Sequence, residues 1–235
     1  MTRQYAFYFD SSACSGCKAC QVACMDKHSL PAGVLWRRVY EISGGEWQQQ
    51  GAGWVNDAFA YYLSISCNHC EKPICVEVCP TQALIKRQDG IVLINERRCI
   101  GCQYCSWACP YGALQFDEGR GCMSKCTFCA DLLDIGEPPA CVAACPMRAL
   151  DFGEREELEA RHGKAIDVFP LPDQTLTEPA LSISPHQAAI KLKEKGIQGK
   201  ARIANGEEIA KLHSPSLIPG SQKAHHTSWV IQNDQ

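Results

Sequence analysis

Four groups of cysteines, each opening with C-x2-C and closing with C-x3-C, limit what this chain can fold into more than any other feature. They are Cys14-x2-Cys17-x2-Cys20-x3-Cys24, Cys67-x2-Cys70-x4-Cys75-x3-Cys79-Pro80, Cys99-x2-Cys102-x2-Cys105-x3-Cys109-Pro110 and Cys126-x2-Cys129-x11-Cys141-x3-Cys145-Pro146. Only the middle spacing varies, at 2, 4, 2 and 11 residues. The text after the last cysteine repeats as well. CPTQALI, CPYGALQF and CPMRALDF place Ala83-Leu84, Ala113-Leu114 and Ala149-Leu150 at one offset, as a repeated structural unit does. The first group departs, with CMDKHSL in place of the proline and the Ala-Leu pair.

This spacing is that of bacterial ferredoxins, C-x2-C-x2-C-x3-C-P. Three closely spaced thiolates on a tight loop reach three corners of one cubane, and backbone N–H groups turned toward the sulfurs help hold its negative charge. The fourth cysteine follows at helical spacing and faces a neighbouring cluster. Sixteen thiolates so arranged suffice for four [4Fe–4S] clusters in two ferredoxin-like pairs. Zinc also takes C-x2-C, but it needs two such pairs, not a triplet followed by C-x3-C-P. Disulfide frameworks belong to secreted chains with leaders, and an odd total of 17 cysteines cannot pair completely. Cys122 is the thiol left over. It is expected to be a free bystander and not a ligand, with a redox-sensing or substitute-ligand role as the alternative.

Composition narrows the classes. The 235 residues are 46% hydrophobic, enough for one or two packed domains. A net charge of -3, with no basic stripe, argues against nucleic-acid binding. No apolar run approaches the roughly 18 residues of a membrane helix, so no direct membrane span is expected. The N-terminus reaches a cysteine group by residue 14 without a leader pattern, so the chain is expected to be made without its own export signal. There is no phosphate loop, Rossmann fingerprint or H-E-x-x-H motif. Four clusters without visible substrate chemistry describe an electron conductor, with no catalytic residues of its own.

Gln4–Asp10 alternates as a strand, and Ala83–Cys99 reads as two strands about an Asp89-Gly90 turn. GALQFD and ALDFGE read as strands closing the third and fourth groups. The segment 26–66 is an aromatic-rich β insert, with strand-like residues around Gly44-Gly45 and in AFAYYLSIS. Its Trp36, Tyr40, Trp47, Trp54, Tyr61 and Tyr62 are expected mainly in the core. The first and fourth groups then close around the second and third. This predicts an α+β fold of two nested bacterial-ferredoxin-like units, short hairpins and short helices around [4Fe–4S] clusters. The outer unit is 1–25 plus 120–155, and the inner one is 67–119. Residues 156–235 are a C-terminal helix, Glu154–Gly163, and an extended arm. The proline-rich FPLPDQTLTEPALSISPH is expected to lie on another surface. A further helix is expected in HQAAIKLKEKGIQG, and His225-His226 are expected in solvent.

FDSS before CSGCKAC, WRRVYE followed by GGEW, FAYYLSISCNHCEKPIC, CIGCQYCSWACPYGA, and ALDFG followed by PLP resemble the iron–sulfur subunit of molybdopterin oxidoreductases. Within it they are most similar to the B subunit of anaerobic dimethyl sulfoxide reductase, over about residues 4 to 185. The resemblance implies an electron-transfer subunit between a membrane anchor subunit that oxidises menaquinol and a molybdopterin catalytic subunit that reduces S- and N-oxides in anaerobic respiration. It implies attachment to the membrane through those partners, on the periplasmic face after co-export, the cytoplasmic face being the alternative. It also implies the ligand sets. The first cluster takes Cys14, Cys17, Cys20 and Cys145. The second takes Cys67, Cys70, Cys75 and Cys109. The third takes Cys99, Cys102, Cys105 and Cys79, and the fourth takes Cys126, Cys129, Cys141 and Cys24. Relatives that replace a third-group cysteine by Trp hold a [3Fe–4S] cluster there; this chain keeps Cys102. Rival readings are the same role in a thiosulfate, polysulfide, tetrathionate or selenate reductase or a dehydrogenase, a free polyferredoxin shuttle, and a zinc scaffold.

Overall fold

A computed structural model describes residues 3–164, 168–194 and 201–206. It is a mixed α/β chain of short strands and short helices, and no described helix is long and apolar enough to cross a membrane. The helix Gln187–Glu194 is described, whereas His225-His226 and most of the end of the chain lie outside the described residues.

The central sheet joins distant parts of the sequence. Tyr5–Asp10 runs antiparallel to Leu150–Glu154, with Phe7 opposite Phe152. On its other edge it runs parallel to Leu181–Ser184, with Phe7 opposite Leu181. The alternating apolar residues of YAFYFD explain its place: Phe7 and Phe9 enter the main core while Ala6 and Tyr8 pack on the opposite side with Leu158 and Ala180. Part of the proline-rich segment thus packs on the chain itself. It supplies the third strand of the chain's own sheet, with Ala180 and Ile183 each 1% exposed.

The insert forms two hairpins, one inside the other. Arg38–Gly44 pairs antiparallel with Phe59–Ile65, and within that loop Trp47–Gln50 pairs with Gly53–Asn56. The strands flanking Gly44-Gly45 thus do not pair with each other. Ala201–Ile203 adds to the outer hairpin along Arg38–Gly44. Aromatic residues divide accordingly: Trp36, Tyr40 and Tyr61 are in the core, while Trp47 and Trp54 stand exposed on the inner hairpin. Ile42, Leu63 and Ile65 are almost wholly enclosed. Each such side chain contributes about 1.5–3 kcal/mol of burial.

Two further hairpins lie after the second and third cysteine groups, Leu84–Lys86 with Val92–Ile94 and Gln115–Asp117 with Cys122–Ser124. The insert is tied to the second of these. Gln115 accepts from the Leu35 N–H at 2.6 Å and donates back to the Leu35 carbonyl. Trp36 Nε1 donates to Ser124 Oγ at 3.1 Å. The helix Arg155–His162 ends at Gly163, as its composition predicts.

Candidate metal centres

Each C-x2-C pair is a tight loop with a left-handed residue just before its second cysteine: Gly16, His69, Gly101 and Phe128, at φ 71°, 43°, 67° and 59°. Left-handed conformations turn successive backbone N–H groups toward one concavity, which suits a bound anion. The Phe128 N–H donates to Cys126 Sγ at 3.3 Å. Gly16 is further constrained because the Tyr62 ring lies where a Cβ would stand.

The C-x3-C spacing maps onto four short helices. Cys20 and Cys24 lie on Ala19–Lys27, Cys75 and Cys79 bracket the end of Ile74–Glu77, Cys105 and Cys109 that of Tyr104–Ala108, and Cys141 and Cys145 that of Ala140–Ala143. A separation of four residues is about one helical turn, which carries the second sulfur one step along the axis toward a different site.

The repeated C-P-x-x-A-L tail has a structural cause. In each copy the residue before the alanine is left-handed: Gln82, Gly112 and Arg148, at φ 52°, 57° and 53°. Ala83, Ala113 and Ala149 are each 1% exposed, which leaves no room for a larger side chain. The Ala83 N–H donates to Cys79 Sγ at 3.3 Å. Burial pushes the Cys79 thiol up, yet the N–H groups of Leu84 and Ala83 and the Thr81 hydroxyl outweigh it and hold the thiol below its ordinary value.

The structure brings sixteen cysteines together in fours. Cys14, Cys17, Cys20 and Cys145 line one cavity. Cys79, Cys99, Cys102 and Cys105 line another. Cys24 lies beside Cys126, Cys141 and Cys129. Cys75 lies beside Cys67, Cys109 and Cys70. The sets form a row. Cys20 of the first set feels Cys141 of the fourth, and Cys126 of the fourth feels Cys67 of the second. The second and third sets share one apolar cluster, in which Cys75 and Cys105 are buried.

This donor chemistry fits iron–sulfur clusters. Each set offers four thiols, the donors that a [4Fe–4S] cluster takes. Among the described residues no three His, Cys, Asp or Glu side chains converge as single-ion ligands. Burial pushes the Cys14 thiol up to about 11 and those of Cys70, Cys105 and Cys126 up to about 12. Cys24 and Cys75 rise further, again mainly through burial. Binding a cationic metal is what makes ionising such thiols favourable.

Cys122 is buried on the hairpin after the third group and lines neither cavity. Its neighbour Met123 donates its N–H to Cys99 Sγ at 3.4 Å. Several residues that sequence reasoning missed surround the thiols. His28 Nε2 stands 3.4 Å from Cys129 Sγ and its ring packs on Trp36. Ser64 Oγ stands 3.3 Å from Cys20 Sγ. Arg37 and Lys125 are both buried. The adjacent arginines in VLWRRVY were a usable signal, since an otherwise apolar strand rarely carries two.

The chain is also similar to known proteins. Residues 58–155 match the 4Fe-4S dicluster domain. The chain is 52% identical over 186 residues to the B subunit of anaerobic dimethyl sulfoxide reductase from Escherichia coli strain K12, spanning 79% of this chain and 91% of that one. It is 50% identical over 187 residues to the same subunit of Haemophilus influenzae, with the same coverage. It is 37% identical over 191 residues to the B subunit of polysulfide reductase from Wolinella succinogenes, covering 80% and 97%.

Proposed function

The chain belongs to the family of anaerobic dimethyl sulfoxide reductase B subunits, and from that premise we propose that it is the electron-transfer subunit of a dimethyl sulfoxide reductase. It carries [4Fe–4S] clusters. When bound, each takes up and gives back one electron. Our reading places four of them, held by the four sets of thiols described above, and leaves Cys122 unliganded.

The observation that carries this reading is the row itself. Cysteines as distant as Cys14 and Cys145, or Cys24 and Cys126, meet in sets of four, and the sets succeed one another in the order first, fourth, second, third. The nested reading is supported by the pairing of Tyr5–Asp10 with Leu150–Glu154 across the residues that hold the second and third groups. We take 1–25 with 120–155 as the outer ferredoxin-like unit and 67–119 as the inner one.

The protein's part is to fix the sulfurs, exclude water and set the local charge. Both ends of the row reach the surface beside exposed apolar side chains: Val22 and Met147 at the first set, Ile100, Tyr104 and Trp107 at the third. A freely diffusing shuttle has little use for them, whereas a chain between two partners needs a face at each end. The partners proposed are a molybdopterin catalytic subunit at the first set and a menaquinol-oxidising membrane subunit at the third. Membrane attachment through them, on the periplasmic face, follows from the same reading.

Purification from native membranes tests it. The chain should come away with a molybdenum subunit that reduces dimethyl sulfoxide, and its iron content and low-temperature EPR should fit four interacting cubanes. A chain that separates alone at every salt concentration, or a [3Fe–4S] signal in unoxidised protein, would overturn the respective parts.

A further inference from the structure

Two cations lie buried where the thiol sets meet. Arg37 is 2% exposed. Its Nη1 donates to the Ser64 carbonyl at 3.2 Å and to the Ser64 hydroxyl at 3.1 Å, and its Nη2 donates to Ser66 Oγ at 3.0 Å. The guanidinium lies 4.7 Å over the Phe7 ring, and its Nε is buried with no hydrogen-bond partner. Around it are the thiols of Cys141, Cys20, Cys126 and Cys24, drawn from the first and fourth sets. Lys125, also 2% exposed, donates from Nζ to the carbonyls of Val92 and Cys126. It acts on the thiols of Cys126 and Cys75, from the fourth and second sets.

Neither cation has a carboxylate at ion-pair distance among the described residues. Burying a charge without a counter-charge is costly, so unpaired charges are rare in cores. Here the opposite charge is what the thiol sets hold. A cluster on four thiolates is an anion, and reduction adds one more negative charge, so a fixed cation beside it favours the reduced state. Arg37 also acts through Ser64. Donating to that oxygen leaves the hydroxyl proton free to point at Cys20 Sγ, 3.3 Å away.

Building on the thiol sets of the proposed function, we propose that Arg37 and Lys125 are fixed counter-charges of the electron path. Arg37 raises the reduction potentials of the clusters at the first and fourth sets, and Lys125 those at the fourth and second. The fourth set, touched by both, becomes the easiest place in the middle of the row for an electron to reside. A guanidinium stays charged throughout, so no proton need accompany the electron at Arg37.

The test is an EPR-monitored redox titration of the full chain in its complex, comparing Arg37→Gln and Lys125→Gln with the charge-keeping Arg37→Lys and Lys125→Arg. Iron per chain is measured on each. Arg37→Gln should lower the potentials at the first and fourth sets and leave the third unchanged. Lys125→Gln should lower those at the fourth and second and leave the first unchanged. The charge-keeping variants should restore most of each shift. Unshifted potentials in a variant that keeps four clusters overturn the proposal while leaving the ligand sets intact. Loss of iron in both glutamine variants, with full iron in both charge-keeping ones, also overturns it, because the cations would then serve assembly. Fewer than four clusters in the unaltered protein would overturn the ligand sets and this proposal together.

Discussion

Gly101→Ala isolates the constraint on the loop between Cys99 and Cys102. The residue sits at φ +67°, and an added Cβ would stand 2.8 Å from the Gly121 carbonyl oxygen and 3.0 Å from Phe116 Cε2. A side chain in the left-handed region costs about 1–2 kcal/mol. The nearest obstacle is backbone, which cannot rotate away, so an overpacking cost of about 1–3 kcal/mol adds to it. The sum, about 2–5 kcal/mol, falls on the loop that carries two of the thiols in the third set. Gly51→Ala is the control, since Gly51 has φ +61° with nothing within 4 Å of its added Cβ. It bears the conformational cost alone. Iron per chain should fall in Gly101→Ala and stay full in Gly51→Ala. In urea, cluster absorbance should be lost before the far-UV circular dichroism in the first variant and together with it in the second. If both variants keep full iron and share one unfolding midpoint, the collision with Gly121 has no consequence and the reasoning fails.

Cys24→Ser should lose or convert the cluster formed with Cys126, Cys129 and Cys141, whereas Cys122→Ser should leave the cluster count unchanged; iron analysis and EPR distinguish them. Gln115→Ala leaves the Leu35 N–H and carbonyl without their partner. At about 1–3 kcal/mol for each of the two groups left unsatisfied, it should destabilise the docking of the insert by about 2–6 kcal/mol, read as an earlier urea transition. In iron-free protein, burial holds Cys14, Cys70, Cys105 and Cys126 at about 11 to 12, above the 9.0 of an ordinary thiol. Below pH 9 both folded and unfolded forms keep these protons. As pH rises from 9 toward 12 the unfolded chain ionises first, so stability should fall across that window. A urea midpoint that rises there would contradict the burial.

What was legible in the sequence was what metal ligation imposes locally. C-x2-C, C-x3-C and the Ala-Leu offset are short-range, and each maps onto a loop, a helical turn or a buried pair that the structure repeats. Gly16, Gly101 and Gly112 announced left-handed residues. His69, Phe128, Gln82 and Arg148 hold the same conformation without glycine, and no local rule would have placed them there. Each bears about 1–2 kcal/mol that the surrounding packing must offset. Long-range pairing was harder to read. The parallel contact of Leu181–Ser184 with Tyr5–Asp10 joins segments about 175 residues apart, and prolines on its approach favoured an extended arm over a sheet strand.

The buried arginine pair shows why the remainder was hidden. Strand alternation turns one of two neighbours outward, and charged residues are seldom enclosed unless paired. Arg37 and Arg38 are nonetheless 2% and 4% exposed. Arg38 escapes toward the third group, donating to the Tyr111 carbonyl at 2.9 Å beside Cys109. Arg37 turns inward to Ser64, Ser66 and the thiols of the first and fourth sets. Among the described residues neither has an acidic partner at ion-pair distance. On the counter-charge proposal, the charge that makes the Arg37 position tolerable belongs to the thiolates around it and to what they hold. The adjacent arginines stand out in the sequence, but what they face is assembled only once the chain has folded, so neighbouring residues could not name it.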